Sequence, residues 1–162
     1  MNEAKEEGLA ELVERGGIFY RIPGRGPDQI LTEIIGGLPT VFLPIGKEIL
    51  LRAVLEREAL MSTGIGCGLA LPHPRNPVIS EAEKQFVTIA FPESPVNWNS
   101  LDGKDVYAVL LIVSASAKLH LHTLSKINFL CQQKSFETLL QSRASPEDII
   151  KAIRNIEQTW KK

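Results

Sequence analysis

Hydrophobic residues recur every three or four positions along much of the chain, which is the spacing of amphipathic helices. In Asp28–Ile35, for example, four aliphatic residues fall on one side of the predicted helix, and two glycines end the pattern. The last helix has a clear start, because Ser145 can cap it and Pro146 suits its first position. We therefore predict six helices, over Leu9–Arg15, Asp28–Ile35, Ile45–Met61, Leu119–Cys131, Phe136–Gln141 and from Ser145 to about Gln158.

Two of the predicted helices carry a marked apolar side, which should face the core. On Leu119–Cys131 that side includes His120, whereas His122 points elsewhere because two residues correspond to about 200° around a helix. We interpret His122 as a surface or supporting residue. The apolar side of Ile45–Met61 is expected to consist of Ile49, Leu50, Ala53, Val54 and Leu60.

Four shorter stretches have the composition of β-strands. Val106–Val113 is nearly continuous apolar sequence, which is typical of a strand buried on both faces between helices. Phe86–Phe91 is rich in β-forming residues and ends at Pro92, and shorter candidates are Ile18–Ile22 and Cys67–Leu71. Because helices and strands interleave, the predicted fold class is α/β, a three-layer α/β/α domain with a mixed central sheet.

Composition and charge narrow the possible classes of function. The 162 residues suit one domain, 1–162, and contents of 44% hydrophobic and 23% charged residues are ordinary for a soluble protein. The net charge of −1 gives no electrostatic footprint for nucleic acid, and no apolar run approaches the ~20 residues of a membrane helix. No signal-peptide pattern opens the chain. Cys67 and Cys131 are expected to be reduced thiols of a cytoplasmic protein, with one disulfide as the alternative.

The most distinctive stretch is Ser62–Arg75, where glycines alternate with other residues before a histidine enclosed by two prolines. Pro72 fixes its own backbone, and Pro74 biases His73 toward extended conformations. A histidine held so rigidly at the end of a predicted strand is positioned to react, and neutral imidazole is a good nucleophile near pH 7. The alternative is an unreactive loop histidine between two turn-forming prolines.

A second histidine, His120, lies in the first turn of the helix that follows the buried strand Val106–Val113. His73 and His120 both follow strands, at the edge where open α/β sheets place their ligand sites, so a crevice could bring them together. The positive end of the helix that begins near Lys118 would attract phosphate and keep His120 neutral. The alternative is a core histidine bonded to a backbone carbonyl.

Arg57 lies on the helix before the glycine-rich stretch, sixteen residues ahead of His73. Its guanidinium offers a fixed positive charge and paired donors that suit a phosphate. The alternative is a solvated helix residue that pairs with Glu48, Glu56 or Glu58.

Other kinds of site fit the sequence less well. His73, His120, His122, Cys67 and Cys131 could supply zinc ligands, but neither Cys-x-x-Cys nor His-Glu-x-x-His spacing occurs. The Gly-x-Ser-x-Gly motif of a serine hydrolase is missing. The glycines do not fit Gly-x-Gly-x-x-Gly, because a leucine stands where the third glycine is needed. We therefore expect neither a metal nor a cofactor.

Three short motifs follow one another along the chain: Leu55-Glu56-Arg57-Glu58, then Gly64-x-Gly66-x-Gly68-x-Ala70-x-Pro72-His73, then His120-Leu121-His122-Thr123-Leu124-Ser125. In this order and spacing they resemble the type-2 enzyme IIA domains of the bacterial phosphoenolpyruvate phosphotransferase system, which include fructose, mannitol and nitrogen-type members. The resemblance covers about Leu9 to Gln158 and implies a central sheet of about five strands.

The resemblance also implies roles for individual residues. His73 matches the phosphorylated histidine, His120 the second active-site histidine, and Arg57 the arginine that faces the phosphate. One departure is Pro74, because most familiar members have glycine there and proline has no N–H to donate to a phosphate. Residues expected to bind or support the phosphate are Thr63, Gly64, Gly66 and Gly68.

The implied function is that of an enzyme IIA, which accepts a phosphoryl group on His73 from a histidine phosphocarrier protein (HPr-like). The group is then passed on or serves as a signal in nitrogen-type regulation, which the motifs and the lack of a transporter segment in this sequence favour. The alternative is the enzyme IIA subunit of a fructose/mannitol-type sugar transporter that relays phosphate to enzyme IIB. The acceptor is thus an enzyme IIB or a regulatory target, and neither nucleic acid nor stable membrane insertion is expected.

Overall fold

A computed structural model of the chain describes residues 7–39 and 43–160. These ranges contain six α-helices and five β-strands, and a short 3-10 helix at Ala82–Lys84 precedes the fourth strand. The helices are α1 Leu9–Gly16, α2 Pro27–Gly36, α3 Lys47–Leu60, α4 Ala117–Cys131, α5 Lys134–Gln141 and α6 Pro146–Trp160. The strands are β1 Ile18–Ile22, β2 Gly64–Gly66, β3 Leu69–Ala70, β4 Phe86–Pro92 and β5 Ala108–Val113.

The five strands form one mixed sheet in the order β1-β4-β5-β3-β2. β1 runs parallel to β4, and β3 runs parallel to β5, whereas β4–β5 and β2–β3 are antiparallel. The α/β class and the mixed sheet predicted from the sequence are therefore confirmed, as is the count of about five strands that the resemblance implied.

The sheet is covered by helices on both faces, as the apolar run of β5 predicted. Alternate residues of a strand point to opposite faces. Ala108, Leu110 and Ile112 accordingly join a core with α1, α4, α5 and α6, and Val109 and Leu111 join a second core with α2 and α3. All six residues of β5 are buried. The structure thus has three layers, with the central strand β5 buried between the helical layers.

The predicted strand Cys67–Leu71 is wrong in its extent, because the chain forms a tight hairpin there. β2 and β3 pair across Cys67 and Gly68, whose φ angles of 57° and 83° are both positive. The backbone N–H of Cys67 donates to the Asp102 carboxylate at 2.8 Å, which holds the turn from outside. A positive φ at a cysteine is uncommon, so the alternation of side chains alone could not predict this turn.

The apolar side predicted for α3 is confirmed for two of its five residues and wrong for the exposed ones. Leu50 and Val54 are buried, but Ile49 and Leu60 are 54% and 63% exposed. The helix packs instead through Leu50 and Val54 with their neighbours Leu51 and Leu55. Aliphatic residues lie almost all round this helix, and the true side differs from the predicted one by one residue, or about 100°.

A buried carboxylate joins the first and last helices. Gly8 precedes α1 and supplies no capping side chain, so the backbone N–H groups of Leu9 and Ala10 donate to Glu157 of α6 at 2.9 and 2.7 Å. Such charged acceptors stabilise a helix start, where backbone N–H groups otherwise lack partners. The cap predicted for α6 is confirmed, since the Asp148 N–H donates to Ser145 Oγ at 3.2 Å. No helix in the described ranges is both long and apolar enough to span a membrane.

Candidate active site

The two histidines singled out in the sequence lie side by side. β3 leads into His73, and β5 leads through Ser116 into α4, whose fourth residue is His120. Because β3 and β5 are parallel neighbours, the segments that follow them emerge at the same edge of the sheet. The ring centroids of His73 and His120 are 4.6 Å apart and the rings are tilted by 39°. The structure therefore brings together the pair that the sequence predicted.

One hydrogen bond fixes the orientation of the His73 ring. Its Nδ1 lies 2.7 Å from the backbone carbonyl oxygen of Leu71. A carbonyl can only accept, so Nδ1 carries the proton, and in the neutral ring the lone pair is on Nε2. The ring is therefore held in one orientation, with Nε2 as the nitrogen that this bond leaves free.

The surroundings of His73 favour its neutral form. Burial is the largest influence on the pKa of His73 and lowers it, and the positive charge of Arg57 lowers it further. The hydrogen bond to Leu71 and the negative charge of Glu58 raise this pKa. The net direction is downward from 6.5. A lowered pKa keeps the Nε2 lone pair free at neutral pH.

His120 is held neutral more strongly. Burial, the neighbouring His73 and the charge of Arg57 together lower the pKa of His120 to about 4. At the start of the same helix, Ser116 Oγ accepts the backbone N–H of Leu119 at 3.1 Å. A neutral imidazole has one N–H donor and one acceptor, so His120 can donate a hydrogen bond to a group held between the rings.

Arg57 lies where its charge reaches both rings, since it lowers the pKa of His73 and of His120. Its Nη1 donates to the backbone carbonyl of Met61 at 2.7 Å. Among the residues described, no carboxylate lies within ion-pair distance of its guanidinium. The local ion pair considered as the alternative from the sequence is therefore not formed, and the guanidinium stays available to an anion.

The glycines at 64 and 68 are required by close packing. A Cβ on Gly64 would lie 2.1 Å from Ser100 Oγ, and one on Gly68 would lie 2.4 Å from the ring of Tyr107. Gly66 has a φ of 94°, a conformation that side chains rarely adopt. These contacts explain why the run is rich in glycine and favour a supporting role, and direct contact with phosphate stays a prediction.

Thr63, which is buried, and Glu58, which is half-buried, form a pair that sequence patterns did not predict. One carboxylate oxygen of Glu58 accepts the Thr63 backbone N–H at 3.1 Å, and the other accepts the Thr63 hydroxyl at 2.5 Å. The same hydroxyl accepts the indole N–H of Trp98 at 3.3 Å, and Trp98 is fully buried. Sequence reasoning considered Glu58 only as a partner of Arg57, and its place in the Leu-Glu-Arg-Glu motif was the one available signal.

The remaining candidates lie outside this cluster. His122 is exposed on another side of α4, as predicted. Cys67 and Cys131 are both free thiols, so the disulfide alternative is not formed. Across residues 7–39 and 43–160, no group of three side chains is arranged to hold a metal ion.

Comparison with known proteins agrees with this geometry. The sequence model of the family described as "Phosphoenolpyruvate-dependent sugar phosphotransferase system, EIIA 2" matches residues 43–156. The nitrogen regulatory protein of Escherichia coli (strain K12) is 32% identical over 130 residues, which are 78% of this chain and 78% of that protein. The fructose-specific EIIABC component of Bacillus subtilis (strain 168) is 29% identical over 150 residues, which are 90% of this chain but 23% of that protein.

The fold is also found among solved structures. The crystal structure of the nitrogen regulatory protein IIA-Ntr from Neisseria meningitidis superposes with a TM-score of 0.77. The match covers 90% of this chain and 98% of that chain at 24% sequence identity. At this level of identity the likeness supports the fold, and the assignment of residues depends on the geometry described above.

Proposed function

This chain belongs to the EIIA 2 family of the phosphoenolpyruvate-dependent sugar phosphotransferase system, and from that premise we propose that it carries the phosphoryl group on Nε2 of His73. Members of the family are phosphoryl-transfer components of the system, so the type of reaction follows from membership. The observation that carries the choice of atom is the hydrogen bond from His73 Nδ1 to the Leu71 carbonyl. That bond occupies one ring nitrogen and leaves the other free to react.

The proposed step moves phosphorus from one histidine nitrogen to another. The lone pair of His73 Nε2 forms a bond to the phosphorus of a phosphohistidine on the donor, and the donor's N–P bond breaks with its electron pair returning to the donor ring. The proton on His73 Nδ1 stays in place, and the Leu71 carbonyl stabilises the positive charge that the ring acquires. Transfer to the acceptor repeats the step with His73 as the leaving group.

In this proposal, His120 and Arg57 stabilise the charge on the phosphoryl group in transit. Neutral His120 donates one hydrogen bond, and Arg57 contributes its positive charge and its paired N–H groups. Phosphoryl transfer depends mainly on such preorganised donors and charges. The support for these roles is the 4.6 Å separation of the two rings and the influence of Arg57 on both pKa values.

The test is incubation with phosphoenolpyruvate, enzyme I and the donor phosphocarrier, followed by mass spectrometry that preserves acid-labile phosphate. The wild-type chain should gain one phosphoryl group on the peptide that contains His73. His73→Ala should not be labelled, and His122→Ala, a matched change at an exposed histidine, should be labelled normally. Labelling of a folded His73→Ala variant at the wild-type rate would place the nucleophile elsewhere.

For the biological role, we favour regulation in response to nitrogen over a sugar relay. The support is similarity over the matched region, since the nitrogen regulatory protein is 32% identical to this chain and the fructose component is 29% identical. The IIA-Ntr crystal structure also shares this fold, with a TM-score of 0.77. Members of the family work with phosphocarrier donors and EIIB acceptors. Here the proposed donor is an HPr-like phosphocarrier and the proposed acceptor is a regulatory target, in the cytoplasm, where free cysteines are expected.

The sugar relay remains the second candidate, because the fructose component matches 90% of this chain. The two roles separate in a chase experiment with the purified, phosphorylated chain. Rapid loss of the label to a fructose-type or mannitol-type enzyme IIB, together with support of sugar uptake, would favour the relay. Retention of the label in the presence of each enzyme IIB would favour the regulatory role.

A further inference from the structure

A continuous series of hydrogen bonds connects α3 to the ring of His73. The Glu58 carboxylate accepts the backbone N–H and the hydroxyl of Thr63. The Thr63 carbonyl accepts the Leu71 N–H at 3.0 Å, and the Leu71 carbonyl accepts the His73 Nδ1–H at 2.7 Å. Each residue in the series therefore holds the backbone group that orients the next one.

From this series we infer that Glu58 is a positioning residue for the phosphoryl-accepting histidine. Its carboxylate fixes Thr63, Thr63 fixes the Leu71 peptide, and the Leu71 carbonyl selects the Nδ1–H tautomer of His73. The inference rests on the proposed function, in which Nε2 of His73 is the nucleophile. Glu58 would then belong to the site without contacting the phosphoryl group.

The carboxylate is suited to this task because of what the Thr63 hydroxyl already does. That hydroxyl accepts the indole N–H of Trp98 at 3.3 Å, so its own hydrogen needs an acceptor. Thr63 and Trp98 are 5% and 1% exposed, which leaves little access for water as a substitute. Glu58 supplies the acceptor and binds the adjacent backbone N–H with its second oxygen. The two bonds fix the position of Thr63 with respect to α3.

The charge of Glu58 also acts on the pKa of His73, and its effect is opposite to that of the preceding residue, Arg57. Arg57 lowers the pKa of His73 and Glu58 raises it. The two side chains come from successive residues of α3, so the helix delivers a cation for the phosphate and an anion that limits the effect of this cation on the nucleophile. A more basic Nε2 is a better nucleophile, provided that it stays unprotonated at neutral pH.

The deciding variants are Glu58→Gln and Thr63→Val, with Glu56→Gln as the matched control on an exposed turn of the same helix. A glutamine oxygen can still accept the Thr63 backbone N–H. Its NH₂ group cannot accept, so the hydrogen of the Thr63 hydroxyl loses its acceptor. Valine keeps the shape of threonine and removes the hydroxyl. Two different changes therefore break the same bond, and the double variant tests whether the two residues act as a unit.

The first measurement is the tautomer of His73, read from two-bond ¹H–¹⁵N NMR spectra of chain labelled with ¹⁵N-histidine, with no phosphoryl donor present. In the wild-type chain and in Glu56→Gln, the Nδ1–H form should dominate. In Glu58→Gln and Thr63→Val, a clear fraction of the Nε2–H form should appear. The second measurement is the rate of labelling by the phosphocarrier, which should fall about 10-fold to 100-fold, the scale for losing a partner that orients a functional histidine. Thermal melts confirm that each variant is folded.

The outcomes are distinct. A tautomer shift with slower labelling in both single variants, and a double variant no slower than the worse single one, supports the inference. Unchanged tautomer populations in folded Glu58→Gln and Thr63→Val overturn it, even if the melting temperature falls, because Glu58 is then only a structural residue. A tautomer shift in a chain that is never labelled at His73 supports the positioning role and removes the proposed function instead.

Discussion

Removal of the His120 ring is the sharpest single test of the paired-histidine site. His120→Ala keeps the proposed nucleophile, because the hydrogen bond that orients His73 is made with the Leu71 carbonyl and does not involve His120. The electrostatic influences on the pKa of His73 are those of Arg57 and Glu58, which also remain. Some phosphorylation of His73 should therefore persist, and the change should appear in the rate.

The size of the effect follows from the geometry and the protonation state. With a pKa of about 4, roughly one His120 ring in a thousand is protonated at pH 7, so the ring contributes one neutral N–H donor and no full charge. The ring centroid is 4.6 Å from that of His73, which allows one phosphoryl group to contact both rings. Loss of one preorganised donor costs about 2.7–4 kcal/mol, or about 10²-fold to 10³-fold in rate.

The assay is rapid-quench phosphotransfer from the labelled phosphocarrier, with thermal melts as the control for folding. His120→Gln keeps an N–H donor and should recover part of the lost rate. His122→Ala removes the same ring two residues along α4, at an exposed position, and should change the rate by less than about twofold. Equal rates for His120→Ala and His122→Ala would remove His120 from the site, whatever the distance between the rings.

Four further outcomes are expected. Arg57→Lys keeps the charge and loses the paired donors, so labelling should slow by about 10-fold with little change in melting temperature, whereas Arg52→Lys on the same helix should leave both unchanged. Because the pKa values of His73 and His120 are both lowered from 6.5, the labelling rate should fall with a midpoint below pH 6.5 as the pH decreases; a fall centred on or above pH 6.5 would contradict this. The unfolded chain binds more protons than the folded one below pH 6.5, so the free energy of unfolding should decrease from there toward about pH 4. Glu157→Gln leaves one backbone N–H of α1 facing an NH₂ group, and urea titration should show a loss of about 1–3 kcal/mol without slower labelling per folded molecule.

The parts of the site that sequence could predict depend on local signals. A nearly continuous apolar run identified β5, and a histidine soon after a strand end identified both His73 and His120. The segments that follow two parallel strands emerge at the same edge of the sheet, and this holds for α/β folds in general. The prediction that the two rings share a crevice therefore needed only the strand positions and their common direction.

The parts that escaped prediction depend on contacts between distant or strained positions. Glu157 binds Leu9 and Ala10 across almost the whole chain, with no pattern in sequence to mark the contact. The hairpin at Cys67 needs a positive φ that only the folded surroundings enforce, including the Asp102 carboxylate. The face of α3 could not be chosen because aliphatic residues lie almost all round it. In each case the missing information is tertiary packing rather than local preference.

The proline after the reactive histidine is consistent with a cradle made of side chains. Pro74 has no backbone N–H, and the backbone N–H groups of Leu119 and His120 at the start of α4 already donate to Ser116. The two side-chain donors proposed for the phosphate are the His120 ring and the Arg57 guanidinium, and neither depends on the backbone at position 74. Burial and the charge of Arg57 both lower the pKa values of His73 and His120, so the cation proposed to attract the phosphoryl group also favours the neutral rings. In the proposed function, the same cation then offsets the negative charge of the phosphoryl group once it is bound.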